Sequence, residues 1–357
     1  MGRFEASFTM NTKNFNVALT ADFCDAAGQL KFRDIGLSLL SAQPQIKQHF
    51  FETHRPEIGA DQIGGVQAVL VLTPSVTAAS VSKAEHLLVM ARFGVGYDSV
   101  DVKACTAADV LVTITKGAVD HSVAEAAIGW MLALGHHLRA KDNLVRTGQW
   151  NERSKFMGQE LRDHTLGVIG LGGIARKTIS LLGAFGMKQP LAYDPGLNET
   201  AAAQAGARLV SLDTLLAESD FVSLHCPLTP QTRGLIGARE LALMKPTAFL
   251  LNTARGGMVD EDALFAALQE RRIAGAALDC FAEEPVLTPH RFGQLDNVLL
   301  APHSIAWTDE EFREIGRSAC QAIVDVSLGK PPWAMVNPEV LDRPGFKAKW
   351  NRYATRA

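Results

Sequence analysis

A sequence of 357 residues in which short β-rich runs alternate with alanine-rich helical text predicts an α/β protein of two doubly wound parallel-sheet domains. That alternation is the first observation behind the class. The second is length, which is too great for one small core and suits two compact domains. The third is that the strand-like runs fall into two series, one on each side of a long helical stretch.

The first series comprises "NVALT" from Asn16, "AVLVLT" from Ala68, "HLLVMA" from His86 and "VLVTIT" from Val110. The long helix follows from about Ser122, "SVAEAAIGWMLALGHHL", with apolar residues at helical spacing and Ser122 placed to cap it ahead of Glu125 one turn on. A second series begins at "TLGVIG" (Thr165) and continues through "PLAYD", "FVSLHC", "AFLLNTA", "GAALDC" and "VLLAPH". Those six runs make a complete nucleotide-type sheet. One more helix, near Glu310 to Leu328, precedes a Pro-rich tail and most simply returns to the first domain. The expected division is therefore 1–112 with 306–357, and 113–305 inserted between them.

A net charge of -3 offers no basic face for phosphate backbones, so nucleic acid is not an expected partner. Cys24, Cys105, Cys226, Cys280 and Cys320 show no C-x-x-C pair or metal-like spacing. They read as reduced and mostly buried, and neither a disulfide framework nor a metal site is expected. The N-terminal text "MGRFEASFTMNTKNFN" lacks the apolar stretch of a signal peptide, and no segment has the unbroken apolar length of a membrane span. A soluble, cytoplasmic protein is expected. Gly2 opens like a myristoylation site, but Arg3 and Phe4 follow it without a second membrane signal; a disordered leader, with Met10 as an alternative start, is the expectation.

In "TLGVIGLGGIARKTISLLGAFG" a strand runs into Gly170-x-Gly172-x-x-Ala175 and then a helix, with Gly173 and Ile174 completing the turn. A dinucleotide fingerprint needs this context: Gly170 for the tight turn, Gly172 for backbone approach to a pyrophosphate, Ala175 for close helix packing. The next strand ends in Asp194, near the roughly 20-residue spacing expected of the acid that holds a ribose. An acid there favours NAD over NADP, whose phosphate it would repel; the competing reading is a turn acid ahead of Pro195.

The blocks "ARFGVGYDSVD", "SVAEAA", "GVIGLGGIA", "VSLHCPLTPQTRGLI", "LLNTARGGMVDEDAL", "GAALDCFAEEP", "LAPHSIAWT" and "VNPEV", in that order, resemble the D-isomer-specific 2-hydroxyacid dehydrogenases. These include glyoxylate/hydroxypyruvate reductases and D-lactate and D-3-phosphoglycerate dehydrogenases. The resemblance covers most of the chain from Ala91 to Val336; the residues before Ala91 match only in general pattern. It implies a Rossmann NAD domain inserted in a flavodoxin-like substrate domain, and interconversion of a 2-oxo acid and a D-2-hydroxy acid.

By the same resemblance Arg255 binds the substrate carboxylate and carbonyl, Glu284 (with Glu283 as the competing choice) pairs with the catalytic histidine, and His303 is the general acid and base. Asp279 holds the nicotinamide carboxamide, while Pro227, Thr232 and Thr253 surround the adenosine and ribose. Gly94, Val95 and Gly96 receive the substrate carboxylate through main-chain amides, Ser75 adds a contact, and "RTGQWNERSKFMGQEL", with Trp150 as anchor, forms a homodimer arm on the NAD domain. His225 lies near the cofactor without an evident task.

The sequence departs from the family's pattern at Lys116 and Val119 in "TKGAV", where proline and asparagine are common, and at Trp307, where a small residue is usual. Lys116 raises the expectation of a second anionic group on the substrate, against a solvated hinge lysine. Trp307 is expected to shrink or cover the pocket. No regulatory amino-acid-binding domain is expected after the terminal helix, and the basic tail reads as a solvated segment or a subunit contact. Two alternatives stay open at this level: an NAD-sensing co-repressor-like binding protein and a phosphite dehydrogenase-like enzyme.

Overall fold

The computed structural model describes residues 14–353, so the leader with Gly2 and Met10 lies outside the described residues. The chain divides into two compact units, the first running up to Val119 and resuming at Thr308, the second spanning Asp120–Trp307. The switch falls later than 112/113 because Ile114 and Thr115 still donate main-chain hydrogen bonds within the first unit, to the carbonyls of Ala334 (3.1 Å) and Gly94 (3.0 Å). Trp307 likewise stays with the second unit, its amide bonded to the Ser304 carbonyl at 3.0 Å.

In the first unit β1 (Phe15–Leu19), β2 (Ile46–Phe50), β3 (Ala68–Val71), β4 (Val89–Arg92) and β5 (Leu111–Thr113) form a parallel sheet in the order β2-β1-β3-β4-β5. That is the flavodoxin order. Strand β2, "IKQHF", goes beyond the sequence expectation. It lies at the sheet edge and buries none of its side chains fully, so no apolar run announces it. Val69, Val71, Met90 and Val112 turn one face of the sheet into a core with Ile58, Ile63, Val81 and Leu87. The helix Asp309–Ser327 starts at Thr308, whose hydroxyl accepts from the Glu311 amide at 3.0 Å. It buries Phe312, Ile315, Ala319, Cys320 and Ile323 on one stripe.

The tail is not a solvated basic segment. Asn337 of "VNPEV" is buried and extends β5 side-on: its amide oxygen accepts from Val112 N (2.8 Å) and its NH2 donates to Val110 O (3.0 Å). A helix over Pro344–Tyr353 then buries Phe346. Lys349 ends within reach of three carbonyls, those of Ala84 (2.9 Å), Leu87 (3.2 Å) and Ala108 (2.8 Å). An ammonium has three protons and no acceptor, so this grouping satisfies it fully.

The second unit holds β6 (Leu166–Ile169), β7 (Leu191–Tyr193), β8 (Arg208–Leu209), β9 (Phe221–Leu224), β10 (Phe249–Asn252), β11 (Gly275–Leu278) and β12 (Val298–Leu300), in the order β12-β11-β10-β9-β6-β7-β8. Strands β8-β7-β6-β9-β10-β11 reproduce the classic Rossmann order, and β12 adds a strand beyond β11. The strand that the six apolar runs leave out is β8, two residues long at the opposite edge and too short for a hydrophobic signature.

Side chains alternate between two cores, as the two-residue period of a strand requires. Val222, Leu224 and Leu250 face Leu215, Leu241 and Leu264, while Phe221, Phe249 and Leu251 face Met131, Leu134 and Ala175. The long helix runs Asp120–Gly135, so Ser122 lies inside it rather than capping it. It breaks at His137, whose φ of 52° is left-handed, before a further helix over Leu138–Arg146. Among the described residues no helix is long and apolar enough to cross a membrane.

Lys349→Met, which keeps the stem and deletes the ammonium, leaves three carbonyls without their donor. It is expected to cost roughly 1–3 kcal/mol, read as a lower urea midpoint at unchanged slope.

Candidate active site

Doubly wound sheets bind ligands beyond the C-terminal ends of their strands, where the strand order reverses. In the second unit that point lies between β6 and β9. From β6 the chain enters Gly170, with φ +89°, where a Cβ would lie 2.8 Å from the Cys226 Cβ and 2.9 Å from its nitrogen. Only glycine fits that turn. At Gly172, the N-cap of the helix Gly173–Leu181, a Cβ would meet nothing within 4 Å, so the backbone stands open to a ligand. Gly173 is tight for a different reason: a Cβ there would fall 2.0 Å from Asp120 Oδ2. Asp120 thus sets a carboxylate beside the first turn, a neighbour that no sequence motif marks. Ile174 is half-buried and Ala175 fully buried.

Asp194, just past β7, accepts from Leu171 N on one oxygen (2.9 Å) and Gly196 N on the other (2.9 Å). It caps its own turn and also ties that turn to the glycine loop. Thr232 donates to Pro227 O at 2.7 Å and receives Thr229 N, also at 2.7 Å, closing the loop after β9 on itself. Two polar groups at these strand ends lack partners. Thr253 Oγ1, past β10, is buried without one, and so are both ring nitrogens of His225, past β9. Burial pushes the His225 imidazole down to about 4, so it is neutral. An open glycine backbone at a helix N-terminus, with orphaned polar atoms on adjacent strand ends, fits a dinucleotide.

Two loops lie together at the ends of β10 and β11. Asn252 folds the first, donating to Arg255 O (2.8 Å) and accepting from Ala254 N (3.0 Å). Arg255 Nη1 donates to Ala254 O at 2.7 Å. A Cβ on Gly256 would lie 1.9 Å from the Phe281 carbonyl carbon, so the loops meet backbone to backbone. Asp279, buried at the end of β11, holds the loop after β12. Its carbonyl accepts from His303 N (2.9 Å), and its Oδ1 accepts from Ser304 N (2.8 Å) and Ile305 N (3.1 Å). Burial raises its carboxyl above the usual carboxylate range even though both amides and His303 pull it down. One oxygen of the residue expected to hold a carboxamide therefore holds the histidine loop.

His303 sits at φ +53°, a left-handed conformation that a non-glycine residue keeps only when its surroundings impose it. Its Nδ1 lies 2.7 Å from Glu284 Oε2, and Glu284 Oε1 accepts from Phe281 N at 2.9 Å. Both carboxylate oxygens are used, which fixes the ring plane. Against burial, the bond from His303 and the Phe281 amide, with the charges of His303 and Arg255, hold the Glu284 carboxyl below its ordinary value. The Cys280 thiol and then the Glu284 carboxylate, by hydrogen bonding, push the His303 imidazolium up to about 10 against the pull of burial. Cys280, buried, also donates from its sulfur to Ala254 O at 3.3 Å. Nothing in the cysteine spacing pointed to it.

In the first unit Gly94, with φ +137°, follows β4 in a turn closed by its own amide to Arg92 O (3.0 Å), with Val95 and Gly96 after it. A Cβ at Gly94 would press on the Arg92 guanidinium at 2.8 Å. Ser75 donates its hydroxyl to Pro56 O at 3.2 Å, which employs it in the loop itself. Lys116 is exposed and lines a surface depression with Ser38, Glu314, Arg317 and Gln321. Trp307, in the second unit, is 56% exposed.

The fold and these strand ends define a dinucleotide-binding protein that carries an oriented imidazole–carboxylate pair. The family model for the D-isomer specific 2-hydroxyacid dehydrogenase NAD binding domain matches residues 128–304. A glyoxylate reductase of Thermofilum pendens is 39% identical over 284 residues, covering 78% of this chain and 84% of that one. A D-3-phosphoglycerate dehydrogenase of Synechocystis sp. is 40% identical over 273 residues, 75% of this chain, but the chain spans only 49% of that protein. The crystal structure of a glyoxylate reductase from Paecilomyes thermophila superposes with a TM-score of 0.76 at 27% identity, covering 90% of this chain and 98% of that one. The chain belongs to the D-isomer specific 2-hydroxyacid dehydrogenase family, and its second unit is the NAD-binding domain of that family.

In nitrogen-15 spectra of the free protein the His303 ring is expected to titrate at about 10. Glu284→Gln should bring that midpoint down; an unmoved midpoint would mean the carboxylate does not stabilise the imidazolium.

Proposed function

We propose that this chain interconverts a 2-oxo acid and a D-2-hydroxy acid with NAD. The carrying observation is the 2.7 Å His303–Glu284 pair, held at the end of β12 in the unit that belongs to the family's NAD-binding domain. NAD, when bound along the Gly170–Gly173 turn with Asp194 on its ribose side, supplies or takes the hydride. Thr253 and the Pro227–Thr232 loop would flank the nucleotide, and Asp279 would bind its carboxamide.

The protein's own work is binding and proton transfer. Arg255 grips the substrate carboxylate and polarises the adjacent carbonyl, a task suited to a planar, permanently charged guanidinium. In reduction the carbonyl carbon gains a hydride and its oxygen gains negative charge, which His303 neutralises by donating its proton. In oxidation the neutral ring takes the hydroxyl proton back. Glu284 keeps the ring oriented and stabilises its cationic form. In the first unit the main-chain amides around Gly94, Val95 and Gly96 receive the substrate carboxylate, with Ser75 beside them.

The test is a screen of 2-oxo and D-2-hydroxy acids, with phosphite included, followed at the NADH absorbance with NADPH in parallel. Turnover of a 2-oxo acid with NADH supports the reading; activity on phosphite alone, or on nothing, overturns it. His303→Asn should lower kcat by about 100-fold or more with little change in NADH affinity.

Trp307 limits the size of the substrate side chain. Trp307→Ala should move the kcat/KM preference toward bulkier 2-oxo acids at unchanged NAD affinity; an equal loss for all substrates would make the ring a packing element only.

The working form is a homodimer through the NAD-binding unit. The segment after the Leu138–Arg146 helix exposes Trp150 (63%) and Met157 (80%), an apolar pair suited to burial against a second copy. Five free cysteines, with no disulfide, fit a reducing cytoplasm. Sedimentation should show a dimer that Trp150→Glu converts to monomer.

A further inference from the structure

Cys280, Glu284 and His303 each offer one donor atom, and those sulfur, oxygen and nitrogen atoms all lie within 4.8 Å of one another. We propose that these residues form a binding site for a soft divalent cation of the Zn2+ type, and that the bound cation switches the enzyme off. The binding half stands on geometry alone; the inhibitory half rests on the acid–base role proposed for His303.

Zinc takes thiolate, imidazole and carboxylate together, at about 2.3 Å from sulfur and about 2.0–2.2 Å from nitrogen and oxygen. Tetrahedral donors at those lengths stand about 3.3–3.8 Å apart, so a triad already within 4.8 Å closes on the ion by movements of about an ångström. The donors are already held. Cys280 is buried at the end of β11 with its sulfur on Ala254 O at 3.3 Å. Glu284 is tied to Phe281 N at 2.9 Å and meets His303 Nδ1 at 2.7 Å.

The carboxylate and imidazole side chains are 34% and 48% exposed, which gives the ion a route in and leaves a fourth position for water. Three protein ligands and one open position are the pattern of open rather than closed, structural zinc sites. Binding expels the thiol proton and the imidazolium proton into solution. The two negative charges of thiolate and carboxylate then balance the ion.

The same event removes the proton that reduction needs. A metal on one imidazole nitrogen leaves a neutral ring, and the remaining N–H of a neutral imidazole is a poor acid. Mg2+ and Ca2+, which favour oxygen ligands, do not compete for this set.

The full chain, stripped with EDTA and desalted, is titrated with Co2+ and read by the thiolate-to-cobalt charge-transfer band, which requires no turnover. One equivalent is expected, with the band lost in both Cys280→Val and Cys280→Ser. In turnover assays Zn2+ should inhibit at low micromolar levels, reversibly with EDTA, while millimolar Mg2+ does not. Measured against each variant's own uninhibited rate, loss of the sulfur should raise the inhibitory concentration about 10-fold or more. Absence of the band, or equal zinc sensitivity without the sulfur, overturns the site. A band with undiminished turnover overturns the inhibition alone. A band in a protein inactive on every 2-oxo acid supports the site and counts against the proposed reaction instead.

Discussion

The grouping of loops at the ends of β10, β11 and β12 depends on one buried carboxylate. Asp279 ties the end of β11 to the loop after β12 through its own carbonyl and one side-chain oxygen, and those bonds go to His303, Ser304 and Ile305. A left-handed histidine costs of order 1–3 kcal/mol, and these hydrogen bonds are what hold it there. Once the turn is fixed, the ring falls within 2.7 Å of Glu284, whose other oxygen is fixed by the Phe281 amide. The close approach of Gly256 to Phe281 then keeps the arginine loop against the same segment. Each contact is local, yet together they bring three separate strand ends to one place.

The electrostatics of that place follow from its position. Burial alone would raise Glu284 and lower His303, weakening both charges. The pair instead protect one another: the carboxylate is held low by the imidazolium, and the imidazolium is held high by thiol and carboxylate. His225, equally close to the strand ends but with nothing to bond, shows the opposite outcome and stays neutral. The partner, rather than burial, decides which histidine carries a proton. The same donors that stabilise a proton on His303 also suit a soft cation.

Most of the architecture was legible because fully buried parallel strands are apolar runs and helices carry apolar stripes. What escaped lay at sheet edges and termini. Strand β2 is polar and β8 is two residues long. The basic tail reads as solvated until Lys349 is seen with its three carbonyls. The glycine turn was readable from residue type, since Gly170 needs a positive φ and Gly172 an open backbone. Arg255, Glu284 and His303 come from loops far apart in sequence, and only their resemblance to family blocks set them side by side. Of the adjacent acids Glu283 and Glu284, the one that meets His303 is Glu284. Cys280 and Asp120 had no signal, because which strand end turns a sulfur toward an imidazole, or a carboxylate toward Gly173, is set by packing in three dimensions.

In the proposed reaction His303, made strongly basic by its partners, would give and take the proton. The pH dependence of kcat/KM in both directions at saturating cofactor tests this role most directly. Reduction consumes the imidazolium, so its rate should hold level and fall as pH rises through about 10; oxidation needs the neutral ring and should climb through the same midpoint. In Glu284→Gln both limbs should move together to lower pH. Limbs that stay in place, or that move in only one direction of the reaction, would contradict the account.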